Sequence, residues 1–297
     1  MASPQLQKVI DLLSGRPPPL EQTLAEYRAG LEKLTAGFPV ASDVAVEPVN
    51  AGGVPAHWIA TAEAAPERVV YFLHGGAYVR GSVNSHRGLV SRIARAAGAR
   101  ALVIDYRLAP EHPYPAALED ALAAWRWLLA TGTDPARTVI AGDSAGGGLT
   151  LATLVALREA DTPLPAAGVR LSPWTDLSQS GQSVHDNAAC DPFLDRDYLN
   201  LMAGRYLNGA DPRTPLASPL FAELHGLPPL LIQVGSTEVL LDDATRVAEK
   251  AQAAGCEVTL ETWPGMVHVW HLFASMLPEG EQAIARIGAW VCRRLGD

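Results

Sequence analysis

The sequence predicts an α/β fold with a mainly parallel sheet and helices on both of its faces. Short apolar segments typical of buried strands alternate with longer segments of helical periodicity along most of the chain. The predicted strands are 69–73, 101–104, 139–141, 167–171, 230–234 and 258–262, and the predicted helices are 86–97, 116–130, 146–160, 243–254 and 281–295. Strands joined through helices in this way pair in parallel, with their functional groups beyond the carboxyl ends.

Two short amphipathic helices precede this alternation, and a hairpin over residues 43–61 leads into it. The apolar positions of the two helices recur at helical spacing. They are Leu6, Val9, Ile10 and Leu13 in the first helix, and Leu20, Leu24, Tyr27, Leu31 and Leu34 in the second. We expect both helices to pack on the body of the protein, since their polar faces are not enriched in lysine as a membrane-binding helix would be.

The alternation breaks between about Leu177 and Leu227, where polar residues and proline are frequent and helical signals are short. A segment of this length without a repeating pattern predicts an inserted lid. The chain is therefore expected to divide into cap helices (1–42), a first part of a catalytic core (43–176), a cap insertion (177–227) and a second part of the core (228–297).

Composition excludes several functions for the 297-residue chain. It carries 23 Lys and Arg against 32 Asp and Glu, a formal net charge of −9, so no nucleic acid partner is expected. No apolar run approaches the roughly 18 residues of a membrane span, and the first residues lack the apolar core of a signal peptide. The three cysteines, which form no Cys-x-x-Cys pair, are expected to be free thiols of a cytoplasmic protein.

The segment "VIAGDSAGGG" indicates a nucleophilic serine at a strand-to-helix turn. A β-branched strand leads to Ser144 and a helical segment follows it, with Gly142 two residues before and Gly146 two residues after. Such a turn brings strand and helix so close that these two positions tolerate almost no side chain, and it aims the Ala145 N–H at the group under attack. The alternative, a phosphate-binding loop, would need a Lys-Ser/Thr ending that is absent here.

A serine nucleophile needs a base, and in sheets of this type the chain order is serine, acid, histidine. Three of the eight histidines follow the lid: His225, His268 and His271. His268 is the predicted base, because it follows the last predicted strand on a loop that contains Gly265. His271, three residues further along, is the alternative.

The predicted acid is Glu238, which stands in the loop after the strand that ends at Val234. It would accept the imidazole N–H of the base and hold that ring in one tautomer. Asp242 and Asp243 remain alternatives, although both could equally be carboxylates at the N-terminus of a helix.

The segment "HGGAY" predicts a loop whose backbone N–H groups stabilise an oxyanion. It directly follows a predicted strand, as the His-Gly-Gly-Gly loops of lipases and esterases do. The predicted oxyanion hole is therefore Gly75, Gly76, Ala77 and Ala145.

These motifs together resemble the bacterial branch of the hormone-sensitive-lipase-like carboxylesterases, a family of the α/β-hydrolase superfamily. "DYRLAPEHPYPAALED" and "LSPWTDLSQSG" are also similar to segments of that family. The resemblance implies an α/β-hydrolase fold with a helical cap, frequently as a homodimer formed through the sheet edge. This sequence departs from the family pattern at Glu238, where aspartate is usual, and at Ala77, where a third glycine is more common.

The expected function is hydrolysis of short to medium acyl-chain esters through an acyl-enzyme, with Ser144, His268 and Glu238 as the catalytic residues. The expected partner is a small-molecule ester, and no metal or cofactor is implied. Two alternatives are an amidase or deacetylase with the same residues, and a ligand-binding protein of the same fold. Relatives of the second kind lack the histidine, whereas this chain has it.

Overall fold

The centre of the protein is an eight-stranded sheet, seen in a computed structural model that describes residues 3–15, 21–38 and 40–296. Its strands are β1 (Val44–Ala51), β2 (Val54–Thr61), β3 (Ala65–Leu73), β4 (Ala99–Ile104), β5 (Thr138–Asp143), β6 (Ala167–Leu171), β7 (Leu230–Gly235) and β8 (Val258–Trp263). They lie in the order β1-β2-β4-β3-β5-β6-β7-β8. β2 pairs antiparallel with β1 and β4, and every other pair is parallel, which confirms the predicted α/β class.

Helices cover both faces of this sheet. In the described residues they are α1 (Pro4–Ser14), α2 (Leu24–Thr35), α3 (Val83–Ala96), α4 (Ala116–Ala130), α5 (Ala145–Glu159), α6 (Ser183–Asp186), α7 (Arg196–Leu207), α8 (Leu241–Ala253) and α9 (Pro278–Leu295). None of the helices in the described ranges is long and apolar enough to cross a membrane.

The alternation of side chains along the central strands divides the core into two layers. Val70 and Phe72 of β3 face α3 and α9, whereas Tyr71 and Leu73 face α4, α5 and α8. All four side chains are fully buried. Because both faces of the parallel strands are covered, these strands are apolar throughout.

α3 begins at Val83, three residues before the predicted start. Ser82 and Ser85 form a capping box there, and the Val83 N–H donates to Asp105. These side chains accept hydrogen bonds from N–H groups that the first turn of a helix leaves without partners. The helix therefore begins directly after Ser82.

The segments outside the alternation cover one end of the sheet. α1 buries Leu6, Val9 and Leu13 against residues 266–273, as the amphipathic pattern predicted. α2 contacts α7 of the segment 177–227 through a hydrogen bond between the hydroxyls of Tyr27 and Tyr198. The predicted apolar position Leu20 lies outside the described residues.

α5 lies unusually close to the strands on which it packs. A Cβ on Gly146 would lie 2.0 Å from the Leu73 carbonyl oxygen and 2.6 Å from that of His74. A Cβ on Gly142 would lie 2.3 Å from the Gly146 oxygen. Since all of these neighbours are backbone atoms, no rotamer change can make room, and only glycine fits.

Gly146→Ala is therefore expected to lower the free energy of unfolding by more than about 3 kcal/mol, or to prevent folding. Gly204→Ala is the matched control, because Gly204 lies on the exposed side of α7 with open space around its Cβ position. It should raise stability by up to about 1 kcal/mol, since alanine is the better helix former. Urea unfolding of both variants checks this, and wild-type stability in Gly146→Ala would contradict it.

Candidate active site

Ser144 lies at the junction between β5 and α5, in a conformation that few side-chain-bearing residues adopt. Its φ is 53° and its ψ is −121°. The Ser144 N–H donates to the Leu171 oxygen at 2.8 Å, which holds the turn on the neighbouring strand. Buried residues surround Ser144, but its own side chain is only half-buried. The turn thus presents one hydroxyl at the end of the sheet.

His268 and Glu238 form a line of hydrogen bonds with this hydroxyl. His268 Nε2 lies 2.9 Å from Ser144 Oγ, and His268 Nδ1 lies 2.8 Å from Glu238 Oε2. Both His268 and Glu238 are almost completely buried. The structure therefore brings together the three residues that the sequence predicted to act together, from segments 124 and 30 residues apart.

The Glu238 carboxylate is fixed by two further donors. Its Oε1 accepts from the Gly235 N–H at 2.5 Å and from the Ser172 hydroxyl at 2.7 Å. The Ser172 oxygen also accepts from the Val269 N–H at 3.1 Å. Ser172 thus joins the acid to the loop that carries the histidine. Sequence analysis missed it, although its place in "LSPWT" directly after a predicted strand was a usable signal.

The alternative acids, Asp242 and Asp243, bind other groups than His268. Asp242 accepts from the Ser183 N–H, and Asp243 accepts from the N–H groups of Thr175 and Asp176. Burial raises the pKa of Asp243 to about 8, as does the nearby charge of Asp176. Both aspartates belong to the first turn of α8, and they hold neighbouring segments in place.

The other two histidines that follow the predicted lid, His271 and His225, are also separate from Ser144. His271 belongs to the 3-10 turn Trp270–Phe273, and its Nε2 lies 2.7 Å from Gln233 Oε1. Burial lowers the pKa of His271 to about 3. His225 is exposed, and its carbonyl oxygen accepts from Arg158.

The glycine loop after β3 lies beside Ser144, but one of its predicted donors is occupied. The Gly75 N–H donates to Asp143 Oδ1 at 2.9 Å, and a Cβ on Gly75 would overlap that carboxylate. The expectation that Gly75 supplies an oxyanion donor was therefore wrong, because this N–H is aimed at Asp143. Within the described residues, no hydrogen bond occupies the N–H of Gly76 or Ala77, or that of Ala145 at the first position of α5.

Asp143 ties the glycine loop to the serine turn. Its other oxygen, Oδ2, lies 3.3 Å from His86 Nε2. Burial raises the pKa of Asp143, but interactions with His86, His74 and the Gly75 N–H outweigh this effect and lower the pKa below its ordinary value. Asp143 is thus a buried carboxylate that fixes the position of the glycine loop.

A pocket of about 430 Å³, including its opening to solvent, lies above Ser144. The core contributes the glycine loop, Asp143 and Trp174, and the covering segments contribute apolar side chains from α2 and from around α7. The Phe193 ring stacks on the His268 ring with their centroids 5.5 Å apart. The lining residues are Leu31, Gly76, Ala77, Arg80, His86, Asp143, Ser144, Trp174, Phe193, Leu194, Tyr198, Leu199, His268, Val269 and Leu272.

Within the described ranges, no group of three or more His, Cys, Asp or Glu side chains is arranged to hold a metal ion. The titratable groups at the site are instead engaged with one another and with backbone N–H groups. Fold and site together define a hydrolase with a serine at a strand-to-helix turn.

Comparison with known proteins identifies the group more closely. Residues 69–272 match the family described as alpha/beta hydrolase fold. An acetyl-hydrolase of Streptomyces hygroscopicus is 46% identical over 100% of this chain and 99% of its own length. An esterase of Acinetobacter venetianus is 36% identical over 88% of this chain and 86% of its own. The crystal structure of an esterase from the bacterial hormone-sensitive lipase family is 49% identical, with a TM-score of 0.97 over the whole of both chains.

The chain belongs to the alpha/beta hydrolase fold family, among the bacterial esterases related to hormone-sensitive lipase. This confirms the resemblance seen in its motifs. The protein is accordingly a carboxylic ester hydrolase.

His271→Gln is expected to reduce the amount by which the free energy of unfolding falls as the pH is lowered. With a pKa of about 3, the folded His271 stays neutral, whereas the unfolded chain takes up a proton below its ordinary value of 6.5. The stability that this neutral histidine provides is fully present above pH 6.5 and is lost as the pH falls from 6.5 toward 3. The loss is about 1.4 kcal/mol per pH unit, and glutamine removes it.

Urea unfolding of wild type and His271→Gln between pH 6 and pH 4 measures this slope. His112→Gln, at an exposed position, is the matched control for the loss of a histidine. Equal slopes in the wild type and His271→Gln would show that His271 does not stay neutral in the folded protein.

Proposed function

We propose that this protein is a serine carboxylesterase in which Ser144 is the nucleophile, His268 the general base and Glu238 the acid that orients it. The observation that carries this proposal is the line of hydrogen bonds from Ser144 Oγ through both nitrogens of His268 to Glu238. Hydrogen bonds of this length allow the proton transfer that a serine needs in order to attack a carbonyl.

In this mechanism, His268 carries its proton on Nδ1, which donates to Glu238, so that Nε2 is free to accept. Ser144 Oγ attacks the ester carbonyl while its proton passes to Nε2. The carbon–oxygen bond to the alcohol then breaks, and Nε2 returns the proton to the departing alkoxide. A water molecule next gives a proton to Nε2 and attacks the acyl carbon. The bond from that carbon to Ser144 Oγ then breaks, and Nε2 returns the proton to Oγ, which releases the acid and restores Ser144. Glu238 stays ionised and stabilises the imidazolium in both stages.

The negative charge that develops on the carbonyl oxygen needs fixed donors nearby. The N–H groups of Gly76, Ala77 and Ala145 are the candidates, because they lie beside Ser144 without other partners among the described residues. Ala145 is also the first residue of α5, where the helix dipole favours negative charge. Gly75 supports them indirectly, since its bond to Asp143 fixes the loop. Preorganised donors of this kind are commonly the largest single contribution to acyl-transfer catalysis.

The pocket supports short to medium acyl chains as substrates. Leu31, Phe193, Leu194 and Leu199 line it above Ser144, and the space that they leave is small. Its walls come from α2 and from around α7, which supports the predicted division into a cap (1–42 and 177–227) over a core (43–176 and 228–297). A cap that encloses the site favours small esters over emulsified fats.

A deacetylase or amidase with the same residues is the second candidate. The Streptomyces relative, 46% identical to this chain, is named an acetyl-hydrolase, which specifies the acyl group but not the atom that carries it. Comparing turnover of phenyl acetate with that of acetanilide distinguishes the two candidates. A purely ligand-binding role is less well supported, because such a protein has no need of the bonded His268.

A homodimer formed through the sheet edge and a location in the cytoplasm stay predictions. The three cysteines are free thiols, with Cys190 exposed, Cys256 buried and Cys292 half-buried, which supports the expectation of a reducing compartment.

Turnover of a 4-nitrophenyl ester series from acetyl to palmitoyl tests the reaction and the size of the acyl site. We expect a maximum at short or medium chains, because the enclosed pocket limits chain length. In Ser144→Ala, kcat should fall by about 10⁶-fold, because no nucleophile remains. Hydrolysis that persists in this variant, or no hydrolysis of any ester by the wild type, would contradict the proposal.

Glu238→Gln is expected to lower kcat at least about a thousandfold, because the amide cannot stabilise the imidazolium and can hold the ring in the wrong tautomer. Asp242→Asn is the matched control. It removes a carboxylate four residues further along that contacts Ser183 and not His268, so its turnover should be nearly that of the wild type. Steady-state kinetics with 4-nitrophenyl butyrate give both values, and a larger loss in Asp242→Asn would overturn the assignment of the acid.

A further inference from the structure

The pocket above Ser144 contains a positive charge that the proposed mechanism does not use. Arg80 lines this pocket and is only 8% exposed. Its Nε is buried without a hydrogen-bond partner, and its guanidinium lies over the Tyr27 ring, 4.2 Å from the ring centroid. Within the described residues this ring is the only partner of the Arg80 side chain, since no carboxylate lies within 4.0 Å of it.

Two other arginines, Arg28 and Arg170, can be compared with Arg80. Arg28, on the same helix as Tyr27, binds Glu111 through two hydrogen bonds of 2.8 and 2.6 Å. Arg170 also lacks a hydrogen-bond partner for its guanidinium, but it is fully buried within the sheet and does not line this pocket. Arg80 therefore differs from both, because it is unpaired and borders a space that a ligand can enter.

From this arrangement we propose that the natural substrate is an ester that also carries a carboxylate, and that Arg80 binds this second group. Of the Arg80 guanidinium nitrogens only Nε is buried without a partner, so the terminal nitrogens can still donate to a ligand. A carboxylate accepts two parallel hydrogen bonds from a guanidinium. Among the described residues that line the pocket, Arg80 is the only arginine or lysine. In a protein of net charge −9, it gives the pocket a local attraction for an anion.

The position of Arg80 links this recognition to the reacting centre. The backbone N–H of Arg80 donates to the backbone oxygen of Gly76 at 3.0 Å. A Cβ on Gly76 would lie 3.1 Å from Arg80 Cγ. Gly76 is one of the candidate oxyanion donors, so the charge is anchored to the loop that holds the ester carbonyl. A carboxylate bound there fixes the ester at a set distance from Ser144. This inference rests on the proposed esterase activity and specifies its substrate class.

Matched pairs of alkyl esters test the inference, with the carboxylate replaced by an amide of the same shape. Ethyl hydrogen glutarate and ethyl glutaramate place the group on the acyl side. The butanoyl esters of 3-hydroxypropanoate and 3-hydroxypropanamide place it on the alcohol side. The readout at pH 7.5 is the ratio of kcat/KM for the charged ester to that for the neutral one. A ratio above one in either pair supports the proposal and assigns the side, whereas ratios at or below one in both overturn it.

Variants of Arg80 separate recognition from packing. Arg80→Met keeps much of the contact with Tyr27 but removes the charge, so the ratio should fall at least about tenfold. Arg80→Lys keeps the charge but lacks the two parallel N–H donors of a guanidinium, so it should retain part of the preference for the charged ester. Arg100→Met is the matched control, because Arg100 also lies over a ring, that of Trp58, but belongs to β4 and does not line the pocket.

An unchanged ratio in Arg80→Met, or an equal fall in Arg100→Met, would show that Arg80 only packs against Tyr27. Inhibition by glutarate gives a second readout that does not depend on turnover, and its Ki should rise at least about tenfold in Arg80→Met. If no ester of any kind is hydrolysed, the proposed function fails. If neutral esters are hydrolysed without preference for charge, only the inference about Arg80 fails.

Discussion

The turn at Ser144 is the constraint on which the rest of the site depends. A φ of 53° in a residue with a side chain costs of order 1–3 kcal/mol, so it persists only where surrounding structure enforces it. The Ser144 N–H bond to Leu171 and the contact of Gly146 with backbone oxygens provide that enforcement. Once α5 packs this closely, the serine hydroxyl, the Ala145 N–H and the Asp143 side chain all have set directions.

This geometry buries polar groups, and each of them must find a partner. A buried carboxylate without donors would cost more than the fold can tolerate, and the two carboxylates at the site are held by backbone N–H groups and by hydroxyl or imidazole groups. Asp143 binds the glycine loop, and Glu238 binds Gly235 and Ser172 before it reaches His268. The same bonds that stabilise the fold therefore position the groups that the proposed reaction needs.

The substrate pocket depends on a second set of contacts, between segments that are distant along the chain. Tyr27 of α2 contacts Tyr198 of α7 and lies under the guanidinium of Arg80. These residues belong to α2, to the loop after β3 and to α7. They come into contact only in the folded protein, where α2 and α7 pack over the end of the sheet. The pocket is apolar, with one unpaired charge among its described residues, and this character is therefore a property of the assembled protein.

The sequence by itself determined the alternation of strands and helices, the serine turn and its two glycines, because periodicity and steric exclusion act over neighbouring residues. It also determined the family, since the motifs are specific. Only the tertiary structure decided that Glu238 and not Asp242 reaches His268, that the Gly75 N–H is occupied by Asp143, and that Ser172 joins acid and base. Hydrogen bonds between side chains on different loops set these outcomes, and their partners lie far apart in the chain.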